Sequence, residues 1–192
     1  MAGRIKYFIN AFNCPTEYAV IFIVALNKPP RTPIGPAVLL SVVILTMPGG
    51  GMFDEHGTNR LASWRQFRES LETCADPLEQ VAELWKSAPF VGAYLDPTIP
   101  NEWPDPWHLI LDLRLDNLAI ILGMLYTIKL TQRFMDTNCE IHMSIPSEKE
   151  EPIYYLLVDS KFVLGLTYGR VVGSDQLANI ATKRIYAVSK LQ

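Results

Sequence analysis

The chain has 192 residues, a net charge of −3, and 49% apolar against 19% charged residues. This composition is typical of a folded domain with an apolar core, and it excludes intrinsic disorder. The negative net charge excludes a general attraction to nucleic acid. The three cysteines, Cys14, Cys74 and Cys139, are too few and odd in number for a disulfide framework, and they fit a reducing compartment.

Residues 1–51 differ in composition from the rest of the chain. They contain four basic residues and one acid, a net charge of +3, so the other 141 residues carry −6. They also hold six of the 14 prolines and five of the 11 glycines. The break falls at Pro48-Gly49-Gly50-Gly51, directly before a second methionine, Met52. We therefore expect residues 1–51 to be an appendage outside the native fold, and residues 60–192 to form a single domain.

Two apolar runs in this appendage, Tyr18 to Leu26 and Pro36 to Met47, leave three interpretations open. They are a pair of buried strands, a membrane-associating segment, or sequence upstream of a translation start at Met52, which is the interpretation we favour. Each run is shorter than the roughly 18–20 residues that a membrane-spanning helix needs. Membrane association is therefore expected only if residues 1–51 belong to the native protein.

Three helices are predicted in the first part of the domain. Serine or aspartate caps, with proline at the first helical position in two cases, indicate where each begins. Apolar residues spaced three and four apart indicate the buried face. A proline-rich connection, residues 89–106, separates the second helix from the third. The predicted helices run from Ser63 to about Thr73, from Asp76-Pro77 to before Pro89, and from Asp105-Pro106 to about Leu111.

A fourth helix, Asp116 to Phe134, is the most apolar segment of the domain. It is apolar on all sides until its last turn, where Lys129 and Arg133 suit the negative end of the helix dipole. Gly123 is its only helix-breaking residue. A helix that is apolar all round is surrounded by protein, so we expect this one to form the core.

The period of apolar residues then changes to two, which indicates strands. Glycines at 169 and 173 predict a loop, and Ser174 predicts the cap of a short helix, 175–179. Helices followed by an antiparallel sheet predict the α+β class, with the buried helix packed on a small sheet. The predicted strands are Glu140 to Ile145, Ile153 to Val158, Lys161 to Leu166 and an edge strand, Arg184 to Val188, with an exposed turn at Pro146 to Pro152 and a tight connection at Asp159-Ser160.

The residue pattern does not form a nucleophilic site. Cys139 and His142 are close in sequence, but residues three apart in a strand point to opposite faces. We therefore expect no catalytic residue. The alternative is a cysteine hydrolase or acyl-transfer enzyme that uses Cys139 or Cys74 with His142.

Metal and cofactor sites are also not expected. Structural zinc would need two ligands beyond Cys139 and His142. The acids Asp112 and Asp116, like those within residues 148–151, are interpreted as solvated loop charges. The glycines at 49–51 lack the lysine and the helix of a phosphate-binding loop.

Two stretches resemble the transglutaminase-like cysteine-peptidase fold. Trp103 to Ala119 is similar to the tryptophan- and proline-containing segment that leads into that family's nucleophile-bearing helix. Val158-Asp159-Ser160-Lys161-Phe162 is similar to its strand hairpin. The resemblance covers residues 100–168 and implies that the helix at 116–134 is the counterpart of the nucleophile-bearing helix.

The same resemblance assigns the family's three catalytic positions to residues without the necessary chemistry. The position of the cysteine falls at Leu115, that of the histidine near Pro152 or Ile153, and that of the acid among Leu164 to Leu166. The resemblance therefore implies a degenerate domain with no thiolate and no general base at these positions.

Residues 64–191 also resemble a protein group of large contractile-tailed phages of marine cyanobacteria. The similar phrases are Asp76-Pro77-Leu78-Glu79, Trp103 to Trp107 and Leu122 to Thr127. This resemblance implies a phage protein that binds other phage or host proteins, as a minor virion or assembly component, in the host bacterial cytoplasm or in the virion.

Overall fold

The computed structural model describes residues 51–145, 151–167, 169–177 and 180–187. Residues 1–49 and residues 50–192 are separate units, and every described residue lies in the second. The apolar runs of the predicted appendage lie outside the described residues. The appendage and the start at Met52 therefore stay predictions.

Helices precede a five-stranded antiparallel sheet in the described residues, which confirms the predicted α+β class. The helices are α1 (Gly57–Leu71), α2 (Pro77–Lys86), α3 (Pro106–Asp112) and α4 (Asn117–Lys129). The strands are β1 (Cys139–Ser144), β2 (Ile153–Val158), β3 (Phe162–Thr167), β4 (Arg170–Gly173) and β5 (Thr182–Ala187). Their order across the sheet is β4-β3-β2-β1-β5, and each neighbouring pair is antiparallel.

The two Asp-Pro signals start helices as predicted. At the start of α3, Asp105 Oδ1 accepts the N–H groups of Trp107 and His108 at 2.9 and 3.0 Å. The pair Asp76-Pro77 starts α2, although the Asp76 side chain makes no capping hydrogen bond there. Proline at the first helical position suffices for α2 because its missing N–H would have had no helical partner.

Helix α1 begins at Gly57, so the predicted cap at Ser63 was wrong. The cause is a long-range contact that the local sequence does not reveal. Arg60 is buried, and its Nη1 donates to the carbonyl oxygens of Ile110 and Leu111, both at 2.9 Å. These carbonyls lie at the C-terminal end of α3, where backbone acceptors have no helical partner. Arg60 therefore fastens the first turn of α1 to the last turn of α3.

Helix α4 is buried as predicted, but it ends at Lys129 and not at Phe134. Ten of its 13 residues are buried. A 3-10 turn, Gln132–Phe134, follows it. The carboxylate of Glu72 accepts the N–H groups of the first two residues of this turn, at 2.7 and 3.1 Å. These donors are satisfied by the residue that follows α1, which holds the chain in the turn and ends α4 early.

Thr127 is the point where α1, α2 and α4 meet. Trp64 of α1 and Trp85 of α2 each donate an indole N–H to the Thr127 hydroxyl at 3.0 Å. The hydroxyl itself donates to the carbonyl oxygen of Gly123 at 2.8 Å. A hydroxyl has one proton and two lone pairs, so these three bonds use its whole capacity. Both indoles are thereby satisfied inside the apolar core.

Gly123 is required by the same packing. A Cβ atom built on Gly123 would lie 2.0 Å from Cη2 of Trp85. Only a residue without a side chain therefore lets the Trp85 ring lie against the backbone of α4. The one helix-breaking residue of the predicted buried helix is thus a point of close approach between α4 and α2.

The sheet follows the predicted strands with one addition. Arg170–Gly173 forms β4, so the predicted loop at Gly169 and Gly173 was wrong. A run of four residues is too short for an alternation of apolar and polar residues to indicate a strand. Strand β4 depends on its pairing with β3. The predicted tight connection between β2 and β3 is confirmed: Asp159 and Ser160 have φ of 50° and 57°, as a type I′ hairpin turn requires.

The C-terminal predictions are confirmed in part. Ser174–Leu177 is a 3-10 turn and not the predicted helix, and residues 178 and 179 lie outside the described residues. Strand β5 lies at one edge of the sheet, as predicted for residues 184–188, although it starts earlier, at Thr182. Residues 146–150 of the predicted exposed turn lie outside the described residues, as does Val188.

We expect Thr127→Val to lower the free energy of unfolding by about 2–4 kcal/mol, because it leaves the indole N–H groups of Trp64 and Trp85 buried without an acceptor at nearly constant volume. The loss is measured by urea unfolding. Thr127→Ser is the matched control, since it keeps the hydroxyl and loses one methyl group, at a cost of about 1 kcal/mol. Equal losses in the two variants would show that the shared hydroxyl does not stabilise the fold.

Candidate functional site at the start of helix α4

Leu115 lies directly before the first turn of α4, at the position that the resemblance assigns to a nucleophile. Its side chain is fully buried, with 0% exposure. Its backbone forms a parallel bridge with Phe90, and its carbonyl oxygen accepts the N–H of Val91 at 3.0 Å. An aliphatic side chain without solvent contact can neither attack nor meet a substrate. This position belongs to the core.

Asp116 is the N-cap of α4 and is buried at 7% exposure, so its interpretation as a solvated loop charge was wrong. Its Oδ1 accepts the N–H of Ala119 at 2.7 Å, within the first turn of the helix. Its Oδ2 accepts the N–H groups of Tyr94 and Leu95 at 2.8 and 2.7 Å. The carboxylate thus caps the helix and binds a second segment. An aspartate directly before a long apolar run is the sequence signal for this cap.

The second segment, residues 89–104, covers the start of α4, and we call it the covering segment. It runs from the bridge with Leu115, through the two bonds to Asp116, to Pro104, whose carbonyl accepts the hydroxyl of Tyr126 at 2.8 Å. In its middle the carbonyl of Pro97 accepts the hydroxyl of Tyr186, from β5. The covering segment is therefore fastened along its length, to α4 and to the sheet.

A tyrosine from β2 lies beside the same helix start. Tyr154 is buried, and this burial raises the pKa of its phenol, with further contributions from the neighbouring Tyr186, Asp116 and Asp96. It adjoins Ile153, near which the resemblance places the family's histidine. The side chain that β2 presents to the start of α4 is therefore a phenol held in its neutral form.

The position assigned to the acid also lies against α4. Leu164 is fully buried in β3, opposite Leu156 of β2. Gly165 follows at a φ of 84°, and a Cβ on it would lie 2.1 Å from Cδ1 of Ile121. The structure thus packs β2 and β3, which carry two of the assigned positions, against α4. The residues at the assigned positions are aliphatic or lack an ionisable group.

The structure does not bring Cys139 and His142 together as a dyad. Cys139 lies in the core with Ile141, on the face of β1 that packs toward α4, and burial raises the pKa of its thiol to about 11. His142 lies on the other face and stacks on Tyr155, with ring centroids 5.1 Å apart. Cys74 lies in the connection between α1 and α2, outside the sheet that carries His142.

His142 joins a polar cluster that the sequence did not reveal. Its Nε2 lies 3.0 Å from Glu140 Oε2, and its Nδ1 lies 3.4 Å from the Tyr155 hydroxyl and 3.5 Å from Thr182 Oγ1. The two hydroxyls are 2.7 Å apart. In the sequence, the two-residue spacing of Glu140 and His142 was the signal that their side chains lie on one face of a strand. Contacts of 3.4–3.5 Å are at the limit of hydrogen bonding, and the cluster links β1, β2 and β5.

A groove of about 390 Å³ lies at the opposite end of α4. Several of its polar side chains already have protein partners: Arg65 pairs with Glu69 at 2.8 Å, and Lys129 donates to the carbonyl oxygens of Met135 and Thr137. The Lys129 contacts satisfy carbonyls beyond the C-terminal end of α4. The groove therefore has a structural explanation.

The described part of the chain also bears on other classes of site. Residues 51–145, 151–167, 169–177 and 180–187 contain no group of three His, Cys, Asp or Glu side chains placed to hold a metal ion. Within the same ranges, no helix has both the length and the apolar character that crossing a membrane requires. The membrane alternative rested on residues 1–51, nearly all of which lie outside these ranges.

No family model and no curated protein matches the chain. Among solved structures, three of LapG from Legionella pneumophila share its fold. The calcium-bound form has a TM-score of 0.53 at 11% identity, covering 73% of this chain and 86% of LapG. A second structure has a TM-score of 0.54 at 14% identity, covering 72% and 81%. The EGTA-treated form has a TM-score of 0.53 at 15% identity, covering 71% and 78%.

This likeness confirms the predicted transglutaminase-like fold. Identities of 11–15% show the fold alone. Function therefore has to be argued from the residues at the site.

We expect Asp116→Asn to lower the free energy of unfolding by about 2–4 kcal/mol, because an amide offers only one oxygen where two now accept three N–H groups. Its NH₂ group would face N–H donors on one side. Thermal unfolding followed by circular dichroism measures the loss. Asp112→Asn, at an exposed position one turn away, is the matched control and should change stability by less than about 0.5 kcal/mol. An Asp116→Asn variant with unchanged stability would contradict the anchoring role of this carboxylate.

Proposed function

We propose that this protein is a non-catalytic member of the transglutaminase-like fold that acts by binding other proteins. The observation that carries the proposal is the complete burial of Leu115 at the nucleophile's position. The covering segment and the carboxylate of Asp116 close the same position to substrates. A nucleophilic enzyme needs a reactive side chain and access for its substrate, and the burial of Leu115 and the contacts that cover it oppose both.

The alternative enzyme is not favoured by the geometry of its candidate residues. A thiol acts as a nucleophile only as the thiolate. Burial raises the pKa of Cys139 to about 11, and His142 faces the other side of β1. Neither the raised pKa of Cys139 nor the position of His142 would activate the sulfur atom. The polar neighbours of His142, Glu140 and Thr182, instead support a role in holding β5 to β1.

The biological setting that we propose is a phage particle or its assembly in the host bacterial cytoplasm. Three stretches support this setting because they are similar to a group of cyanobacterial phage proteins. They are Asp76-Pro77-Leu78-Glu79, Trp103 to Trp107 and Leu122 to Thr127. Partners would then be other phage or host proteins. A binding role also agrees with the exposed apolar side chains on several elements, among them Trp107, Met135 and Ile185.

Alkylation of the native protein by iodoacetamide at pH 8 tests the non-catalytic part of the proposal. Because the pKa of Cys139 rises from 9.0 to about 11, its thiolate fraction falls about hundredfold, and burial slows the reaction further. We therefore expect Cys139 to react at least about hundredfold more slowly than Cys74. Peptide mass spectrometry resolves the two sites, and both should react at similar rates in urea. Rapid native alkylation of Cys139 would overturn the proposal and favour the enzyme.

Mass spectrometry of gradient-purified particles tests the proposed setting. Peptides from residues 60–192 should co-purify with the capsid at a constant ratio, or should migrate in a larger complex when the infected-cell lysate is fractionated by size. Peptides of a host ribosomal protein serve as the contamination control. Migration as a free monomer throughout infection, together with absence from particles, would contradict a binding role in virion or assembly.

A further inference from the structure

We propose that the outer edge of β5 docks an extended, acidic segment of a partner protein as an additional strand. This inference rests on the proposed binding function and names the class of partner. In such docking the main chain supplies the hydrogen bonds, and the side chains on each face supply specificity.

The two edges of the sheet differ in what covers them. At one edge, β4 has four residues, and the N–H of Val171 donates to Glu79 of α2 at 3.1 Å. A Cβ on the adjacent Gly169 would meet Lys86 of α2 at 2.5 Å. Helix α2 therefore protects this edge. At the other edge, β5 has six residues without proline or glycine, and it pairs with β1 alone among the described strands.

Strand β5 is held firmly on both faces. On the inner face, Tyr186 donates its hydroxyl to the carbonyl of Pro97 and packs edge-on against Trp103 with ring centroids 5.1 Å apart. On the outer face, Thr182 lies 2.7 Å from the hydroxyl of Tyr155. An edge that is already fixed loses little conformational entropy when a partner strand binds.

The charges on the edge select the partner. Lys183 and Arg184 are exposed and lie in the middle of β5. Arg184 has Asp96 of the covering segment nearby, whereas Lys183 has no ion-pair partner among the described residues. A second copy of this chain, paired edge to edge, would bring four positive charges together, which opposes self-association. A partner strand with a carboxylate across from Lys183 would not meet that repulsion.

An apolar contact adjoins this charge. Ile185 is 54% exposed, and Lys183 lies two residues earlier, where the pairing register between β5 and β1 shifts. Its partner across β1 is His142, so an apolar side chain of the added strand would extend this face outward from Ile185. The surface thus fits an extended segment in which apolar and acidic residues occur together.

The probe for this proposal is a fluorescein-labelled extended peptide that contains both valine and glutamate, titrated with the full chain and followed by fluorescence anisotropy at low salt. We expect Lys183→Glu to weaken binding roughly tenfold or more, because attraction becomes repulsion. Lys161→Glu, in the turn between β2 and β3, is the matched control and should change Kd by less than about twofold. A peptide with lysine in place of glutamate should bind at least about tenfold more weakly.

Hydrogen exchange followed by NMR locates the contact. Backbone amides of β5 should gain protection when the acidic peptide binds, while those of β4 should not. Absence of binding, equal effects of Lys183→Glu and Lys161→Glu, or protection elsewhere would overturn the docking site. Dimerisation with protection of the same amides would assign the edge to a second copy and overturn the acidic partner. None of these results depends on the reactivity of Cys139, so failure here is distinguishable from failure of the non-catalytic proposal.

Discussion

The three hydrogen bonds of the Thr127 hydroxyl fix the relation of the helices to one another. Two indole N–H groups, from Trp64 and Trp85, share this one acceptor, so α1 and α2 must approach α4 from defined directions. The close approach of Trp85 further requires Gly123, which has no side chain. A buried donor without a partner costs about 1–3 kcal/mol, which makes any other arrangement of these helices unfavourable. Because α4 is buried between these helices and the sheet, the same constraint determines what surrounds its first turn.

At that first turn the carboxylate of Asp116 takes over the organising role. It satisfies the helix N–H of Ala119 and two N–H groups of the covering segment, and so holds that segment over Leu115. A reactive residue at the start of a helix benefits from the positive end of the helix dipole and from access to substrate. Here the dipole is neutralised by Asp116, and access is closed by packing. The contacts that cover Leu115 also stabilise the start of α4.

Local signals predicted the elements whose boundaries local contacts determine. The Asp105-Pro106 cap, the hairpin at Asp159 and Ser160, and the apolar run of α4 were all readable from neighbouring residues. The helix boundaries that differed from the prediction depend on contacts between residues distant in sequence. Arg60 binds the end of α3, and Glu72 binds the turn after α4. The candidate site divides in the same way. The resemblance assigned the candidate site to Leu115, whereas its covering by residues 89–104 could not be predicted, because those contacts exist only in the folded chain.

The closed helix start and the open sheet edge are connected through β5. Tyr186 fastens the covering segment from the inner face of this strand, and Arg184 adds a bond from its Nη1 to the same carbonyl of Pro97 at 3.4 Å. The interactions that hold the covering segment over Leu115 thereby also hold the edge strand in a fixed orientation. A fold that hosts catalysis in one protein can serve binding in another when its rigid elements are kept and a different surface carries the function. Under the proposed binding function, the covering segment supplies the rigidity, and the edge of β5, through Lys183 and Ile185, supplies the surface.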